Sequence, residues 1–500
     1  MQYSKQTSFV IFSGGTACNH ILDSFHKINK NSNDISYILS VSDNGGSSSE
    51  ILRVLGGPSV GDLRSRLVRL MDTVDMNDTI EMKAIKRLLS YRLPSNMGEQ
   101  EARKEWISIV EGHHNLWSAI STEKKEAIRG FFVLFNLEVS KLAHKRFNFC
   151  NGSIGNFFLT GARLFTGSVE AAIFLFSSIV GIPSDLTSVI PVISDNQTST
   201  IAALLSNGET LVGQCEISHP STTVQHKKPI PMNHHHHHHP TMNVFSSFIN
   251  VSSNITVVEE NMNCNLFFSK QRNEKLQSPI EHIYYINKFG QEIYPMPNSK
   301  VINRLLTKEA LIYSIGSLYT SLIPSLILRG IGNAIAHSET LKHKILLLNG
   351  TNDRETSNFT AIDFIKAIVS ALNKSQEIDA SFACYYSCDE DEEDDDYDIP
   401  SSNDSVGSNF NSTLPSLSYS SERRYERFHD FETYTSPISS FITHLVYLDN
   451  CDIYVDITEI EQFGIKCITM KGKKSDSGES IYDQNELTRV IQSIVHNEGI

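Results

Sequence analysis

Near the N-terminus, short apolar and β-branched runs alternate with stretches of helical periodicity, the pattern of an α/β chain. Ser8 to Phe12 predicts a first strand, Ala17 to Lys30 a helix and Ile35 to Val41 a second strand, and glycines follow each strand. From Thr73 to about Arg146 charged residues are spaced among Leu, Ile, Trp106 and Trp117, which predicts a helical insertion covering one face. Ile154 to Phe165 and Ser168 to Val180 predict two more helices, the second stopped by Gly181-Ile182-Pro183. Ser188 to Ile193, Ile201 to Leu205 and Thr210 to Ile217 alternate as strands, and Asn207-Gly208 between the last two predicts a two-residue hairpin turn. Ala310 to Ser314 and Lys344 to Leu348 predict buried parallel strands. Order is expected again at Thr443 to Leu448, Asp452 to Asp456 and Cys467 to Thr469, before a closing helix near Glu486 to His496.

Two segments break the pattern. Residues 218–254 turn to Pro, Ser, Thr and Asn around the run His234 to His239. They read as a low-complexity loop, with transition-metal binding the alternative for the histidines. Residues 387–433 combine acids with Ser, Asn and Pro and hold few aliphatic residues, so they cannot offset their ordering entropy and are expected to be disordered. The resulting organisation is an α/β core over 1–386 with a helical insertion at 73–146 and the low-complexity loop 218–254, the insert 387–433, and strands and a helix over 434–500 that complete the core.

Charge adds one restriction. The chain of 500 residues carries 43 Lys and Arg against 57 Asp and Glu, a net charge of −14. Nine of the acids fall between Asp389 and Asp398, so the rest of the chain is near balance, with no basic cluster to meet a nucleic-acid backbone. Neither a secretory leader nor an apolar run long enough to span a membrane is read; the richest, Phe174 to Ile182, is too short. The eight cysteines show no disulfide spacing, and Cys215 and Cys467 sit in apolar runs as free thiols would. A cytoplasmic location follows as the expectation. Cys384 and Cys388 have no second pair to complete a metal site.

The candidate chemistry lies in the turns behind the strands, where open α/β sheets collect ligands. Ser13-Gly14-Gly15-Thr16 follows the first strand; its glycines let the backbone approach a phosphate, and Thr16 adds a hydroxyl. It is neither G-x-G-x-x-G nor a P-loop, so a plain tight turn is the alternative. Ser42-Asp43-Asn44-Gly45-Gly46-Ser47-Ser48 follows the second strand. There Asp43 could hold Mg²⁺ or a sugar hydroxyl while Gly45 and Gly46 free space, or Ser47 or Ser48 could simply cap a helix. In Gly61-Asp62-Leu63-Arg64, Asp62 could cap and Arg64 reach a phosphate, or the two could serve a salt bridge. Gly316-Ser317-Leu318-Tyr319-Thr320-Ser321 and Asn349-Gly350-Thr351-Asn352-Asp353-Arg354-Glu355-Thr356 are two further turns, the first a candidate anion nest.

With Gly152-Ser153-Ile154-Gly155-Asn156 added, the order of these motifs resembles the 2-phospho-L-lactate transferase and gluconeogenesis-factor family. The match runs from Phe9 to about Leu372 and more faintly from Leu445 onward. The two inserts look like additions of a eukaryotic, fungal-type branch. The resemblance implies a Rossmann-like three-layer α/β fold with a mainly parallel sheet and a nucleotide-diphosphate site at the strand ends. Family transferases use Mg²⁺ to move a phospholactyl-type group from a guanosine diphosphate carrier to a deazaflavin alcohol. Relatives bind a UDP-sugar and regulate carbon metabolism and cell-wall supply.

Carried onto this chain, the resemblance implies that Gly14, Gly15 and Thr16 contact the diphosphate and that Asp43 sits near metal and acceptor. Asn156 lines the cleft, and Gly316, Ser317, Tyr319 and Thr320 take phosphate or sugar. Gly45, Gly46, Asp62 and Arg64 join the phosphate-binding set, with Asp43 and Asn44 as the catalytic pair. Three positions depart from the family pattern: Asn44 stands where a second Asp is usual, Ser65 follows Arg64 where Asn is frequent, and Ile315 replaces a common Pro. Nucleotide binding survives these changes more readily than catalysis does. The expected function is a Mg²⁺-dependent transferase with a nucleotide diphosphate donor, in a protein that could form a homo-oligomer. The alternative is a non-catalytic UDP-sugar-binding regulator.

Overall fold

The computed structural model describes residues 7–28, 34–73, 79–96, 98–142, 144–183, 187–219, 275–387, 435–476 and 478–496. The His234 to His239 run, residues 388–433 of the acidic insert, and Cys388 lie outside the described residues.

Seven parallel strands form the central sheet. Labels run in chain order: β1 is Phe9–Ser13, β2 Ile35–Leu39 and β3 Thr187–Pro191. Next come β4 (Thr200–Leu205), β5 (Thr210–Val212), β6 (Ile280–Ile286) and β7 (Glu292–Ile293). The last four considered are β8 (Ala310–Tyr313), β9 (His343–Leu347), β10 (His444–Leu448) and β11 (Lys466–Met470). The sheet order β11-β10-β9-β8-β1-β2-β3 puts β1 inside the sheet between β8 and β2, and the chain winds away from it in opposite directions, through β2 and β8. Crossovers between parallel strands lay helices over the sheet faces, and in open sheets of this kind ligands collect where the winding reverses, which here is at the β1 and β8 turns. Every residue of β1, β2 and β8 is buried, which is why these strands read as unbroken apolar runs rather than alternating ones.

A four-stranded antiparallel sheet, β5-β4-β6-β7, stands beside this core. Its β4–β5 hairpin closes through a three-residue loop, residues 206–208, rather than the expected two-residue turn: Leu205 N–H donates to Glu209 O and Gly208 N–H to Leu205 O, both at 2.8 Å, and Gly208 has a positive φ of 84° while Asn207 does not. The expected strand over Thr210 to Ile217 stops at Val212: Gly213 at φ 91° ends it, and Gln214–Ser218 is a short helix. The expected helix over Ala17 to Lys30 is also divided, into a 3₁₀ turn, Ala17–His20, and an α-helix, Leu22–Ile28. Residues 452–456 are irregular, and the helix Ala361–Ser387 takes in residue 387, which was expected to be disordered.

The stretch expected as a helical insertion holds the helices Ile80–Ser90, Glu99–Val110 and Thr122–Lys141. Fully buried Trp106 ties it to the core: its ring meets Phe132, Phe135, Phe149 and Phe157 at centroid distances of 5.4, 5.8, 5.9 and 5.0 Å. Pairs of this kind contribute about 0.5–1.5 kcal/mol each beyond area burial. The indole N–H donates to Asn136 Oδ1 at 3.1 Å. Cys215 and Cys467 are free, and among the described residues no helix is long and apolar enough to cross a membrane.

Candidate functional site at the switch point

The β1 and β8 turns touch. A Cβ on Gly14 would lie 2.7 Å from Ser321 Oγ, so glycine is what lets the two turns approach. At Gly15 an added Cβ would fall 2.2 Å from Asp62 Oδ1 and 2.8 Å from Asp62 Cα. The first turn of the helix Gly61–Leu70 therefore lies directly against the β1 turn. The Gly15 carbonyl turns back onto this helix and accepts from Ser65 Oγ at 3.0 Å, with Asn19 Nδ2 donating to the same oxygen. In a trans peptide the next N–H points the opposite way, so Thr16 N–H faces away from the helix. Neither Gly15 N–H nor Thr16 N–H has a partner among the described residues, and Thr16 is exposed.

Asp43 reaches the same place from β2. Gly45 N–H donates to its Oδ1 at 3.0 Å, and a Cβ on Gly61 would sit 2.8 Å from its Oδ2. Burial and the nearby Asp62 carboxylate push Asp43 up to about 7, against hydrogen bonds from Gly45 and Ser48 and the more distant charge of Arg92. Arg64 adds a cation to the cluster; burial, then the Arg92 charge, hold it down at about 10. Two neighbouring carboxylates that resist joint ionisation form a donor set that a divalent cation would relieve. Mg²⁺ typically takes only one or two carboxylates and completes its shell with water and phosphate oxygens, so Asp43 and Asp62 fit it. Among the described residues no group of three or more His, Cys, Asp or Glu offers a full protein cage.

Several expected contacts take a different place. Asn44, expected in the catalytic pair, is buried, and its Oδ1 accepts from Cys215 N–H at 2.9 Å. A Cβ on Gly213 would strike its Nδ2 at 2.3 Å. Asn44 thus fastens the antiparallel sheet to the crevice wall, and its oxygen is already used. Gly45 and Gly46 are buried in the turn rather than clearing space, since Gly45 N–H serves Asp43 and Gly46 O accepts from Ser49 Oγ at 2.7 Å. Asn156 is 1% exposed and does not line an open cleft; its Nδ2 donates to Ser47 Oγ at 2.9 Å and its Oδ1 accepts from Arg64 Nε at 3.3 Å. It positions Arg64.

The β8 turn is the largest correction. Tyr319 N–H and Thr320 N–H donate to Glu355 Oε2 at 2.8 and 3.1 Å, and Thr320 Oγ1 donates to Glu355 Oε1 at 2.5 Å. A buried carboxylate of the chain itself fills the anion nest. Gly316 spends both its peptide groups on Asn349, its N–H donating to Oδ1 at 3.1 Å and its carbonyl accepting from Nδ2 at 2.8 Å. Ser317, half-buried, keeps its side chain without a hydrogen-bond partner among the described residues. The Tyr319 ring lines a separate cavity of about 490 Å³, between β6, β7 and the helix Ala361–Ser387, away from the carboxylates.

The profile of the 2-phospho-L-lactate transferase CofD family matches residues 9–399. The chain belongs to that family. The Saccharomyces cerevisiae protein named "Uncharacterized protein YNL011C" is 35% identical over 502 residues, spanning 97% of this chain and 98% of its own. A Clostridium acetobutylicum protein named as a candidate gluconeogenesis factor is 32% identical over 92 residues, 18% of this chain and 19% of its own. Two crystal structures of Bacillus halodurans BH3568, one described as a member of the UPF0052 family, share the fold at 15% identity and a TM-score of 0.53. They cover 97% of this chain and 99% of theirs.

Two features of this CofD-family site were not expected from the sequence: Arg92 near Asp43, and the Gly213–Cys215 contact with Asn44. Neither lies in a glycine turn behind a strand of the main sheet. Gly213 after an alternating run was the one signal available.

Proposed function

We propose that the protein is a Mg²⁺-dependent transferase that moves a phospho-acyl-type group from a nucleotide diphosphate donor to a hydroxyl acceptor. The observation that carries this reading is the pair of N–H groups at Gly15 and Thr16 with no partner among the described residues, set beside the Asp43 and Asp62 carboxylates at the switch point. Amides of this kind bind phosphate oxygens, and the carboxylates suit a cation that phosphate would share.

Gly15 and Thr16 would hold the diphosphate, with the Thr16 hydroxyl and Ser317 on facing turns and Arg64 supplying positive charge. Mg²⁺, held by Asp43 and Asp62, would supply neutralisation of the phosphate oxygens. Phosphoryl transfer depends mainly on positioning and charge, so no covalent nucleophile of the protein is required. The acceptor oxygen bonds to the phosphorus of the transferred group as the bond to the nucleotide breaks. Nucleoside monophosphate leaves, and the acceptor's proton passes to Asp43 directly or through water. The test is nucleoside monophosphate release from nucleotide diphosphate conjugates with cell extract as acceptor pool, compared between wild type and Asp43→Asn. Release that disappears in the variant supports the transferase.

A second reading, a UDP-sugar-binding regulator without turnover, draws on Asn44. With that oxygen committed to Cys215, the crevice lacks the second carboxylate usual at this position. Tight binding without release in the same assay would favour it.

A further inference from the structure

Arg66 is fully buried in the helix Gly61–Leu70 and has no carboxylate within ion-pair distance among the described residues. Its Nη2 donates to Gly14 O and to Ser13 Oγ, both at 3.0 Å, and its guanidinium lies over the Tyr37 ring, 4.7 Å from the centroid. Nε and Nη1 have no hydrogen-bond partner. Arginine stays charged inside proteins, and burying such a charge without a counter-ion is costly. The nearby Asp23 is already held by Arg69 at 2.8 Å.

The cost makes sense in relation to the β1 turn. Arg66 fixes the Gly14 carbonyl as Ser65 and Asn19 fix the Gly15 carbonyl, so two successive carbonyls point toward the helix and the two following N–H groups point away. The same residue adds an unneutralised positive charge directly behind the turn. We propose that Arg66 is a positioning residue for a diphosphate anion at Gly15 and Thr16, aiming their N–H groups and leaving a buried charge that the ligand balances. The proposal rests on the diphosphate reading above. It also assigns a role to Ser65, one of the departures from the family pattern: the serine hydroxyl serves the clamp.

The experiment uses inorganic pyrophosphate as probe, with affinity measured by calorimetry and unliganded melting temperature measured in parallel. Arg66→Met should weaken pyrophosphate binding about 30-fold, the scale of removing one buried charge partner, while Arg66→Lys, which keeps the charge, should lose much less. A merely structural arginine predicts the reverse pattern: lowered melting temperatures in both variants, with affinity retained in whatever remains folded. Should Arg66→Met not fold, the double variant Ser65→Ala/Asn19→Ala, which frees the Gly15 carbonyl without altering charge, should bind about tenfold more weakly. Wild type that binds while the folded Met variant, or the double variant in its place, stays within about threefold of it overturns the role of Arg66 and the clamp alone. Wild type that does not bind pyrophosphate or any nucleoside diphosphate overturns the diphosphate reading and this proposal together.

Discussion

The β1 and β8 turns face each other across the switch point and look alike in sequence, each a glycine and a hydroxyl residue behind a buried strand. Their chemistry is opposite. At β1 the carbonyls are tied down and the N–H groups of buried Gly15 and exposed Thr16 have no partner among the described residues, whereas at β8 the Tyr319 and Thr320 N–H groups already hold the Glu355 carboxyl group. One nest is left for an external anion, and the other is closed by the chain's own buried Glu355 carboxyl group. A turn pattern therefore marks where an acidic group can bind, and the rest of the chain decides which group takes the place.

Breaking the open side should have the largest effect. Gly15→Val places atoms where Asp62 already sits, with backbone as close as 2.8 Å, so the turn and the helix start must separate. Nucleotide diphosphate affinity should fall by about 100-fold or more, as loss of fixed backbone donors does at comparable sites. Calorimetry on the folded variant checks this, and near-wild-type binding would remove the β1 turn from the site.

Asp43→Asn tests the chemistry beside that turn. Turnover should fall by about 1,000-fold as metal holding and proton acceptance are lost together. The melting temperature should hold or rise, because a carboxylate pushed up by burial and by Asp62 is replaced with a neutral amide. Steady-state release assays and thermal melts separate the two effects.

The closed side should respond in stability rather than in binding. Burial, with Asp353 behind it, pushes Glu355 up to about 8 from an ordinary 4.5, against the Thr320 hydroxyl and the two N–H bonds. The folded chain thus holds this proton more tightly than the unfolded chain, so the stability it contributes is full below pH 4.5 and is lost as pH rises to about 8. Glu355→Gln can keep all three contacts, its oxygen taking the N–H pair and its amide donating to Thr320 Oγ1. It should remove a slope of up to about 1.4 kcal/mol per pH unit from that window while leaving ligand affinity unchanged. Denaturant titrations between pH 5 and 8.5 check it; a marked loss of nucleotide affinity would place the β8 amides back in the site.

The smallest effect is expected at Asn44. A carboxylate accepts from Cys215 N–H as well as an amide oxygen does, so Asn44→Asp should fold normally and change the Mg²⁺ dependence of binding by no more than about threefold. Gain of turnover in this variant would show that the substitution by itself separates regulator from enzyme.

What the sequence determined by itself was local or periodic. The buried runs of β1, β2, β8 and β9 announced a parallel sheet because such strands are covered on both faces, and Asn207-Gly208 announced a hairpin, though not its three-residue loop, because Gly208 accepts a positive φ. The glycine turns were legible for the same reason, as places where backbones approach closely. Tertiary structure alone decided how the polar groups at those turns are spent. Arg66 lies 52 residues from Gly14, Glu355 lies 35 residues from Thr320, and Asn44 meets Cys215 across 171 residues. Each pairing follows from strand order in the sheet, which local patterning does not encode. Hydrogen bonds are short-ranged and directional, so whether an amide is free or occupied depends on which distant segment the fold delivers within about 3 Å of it.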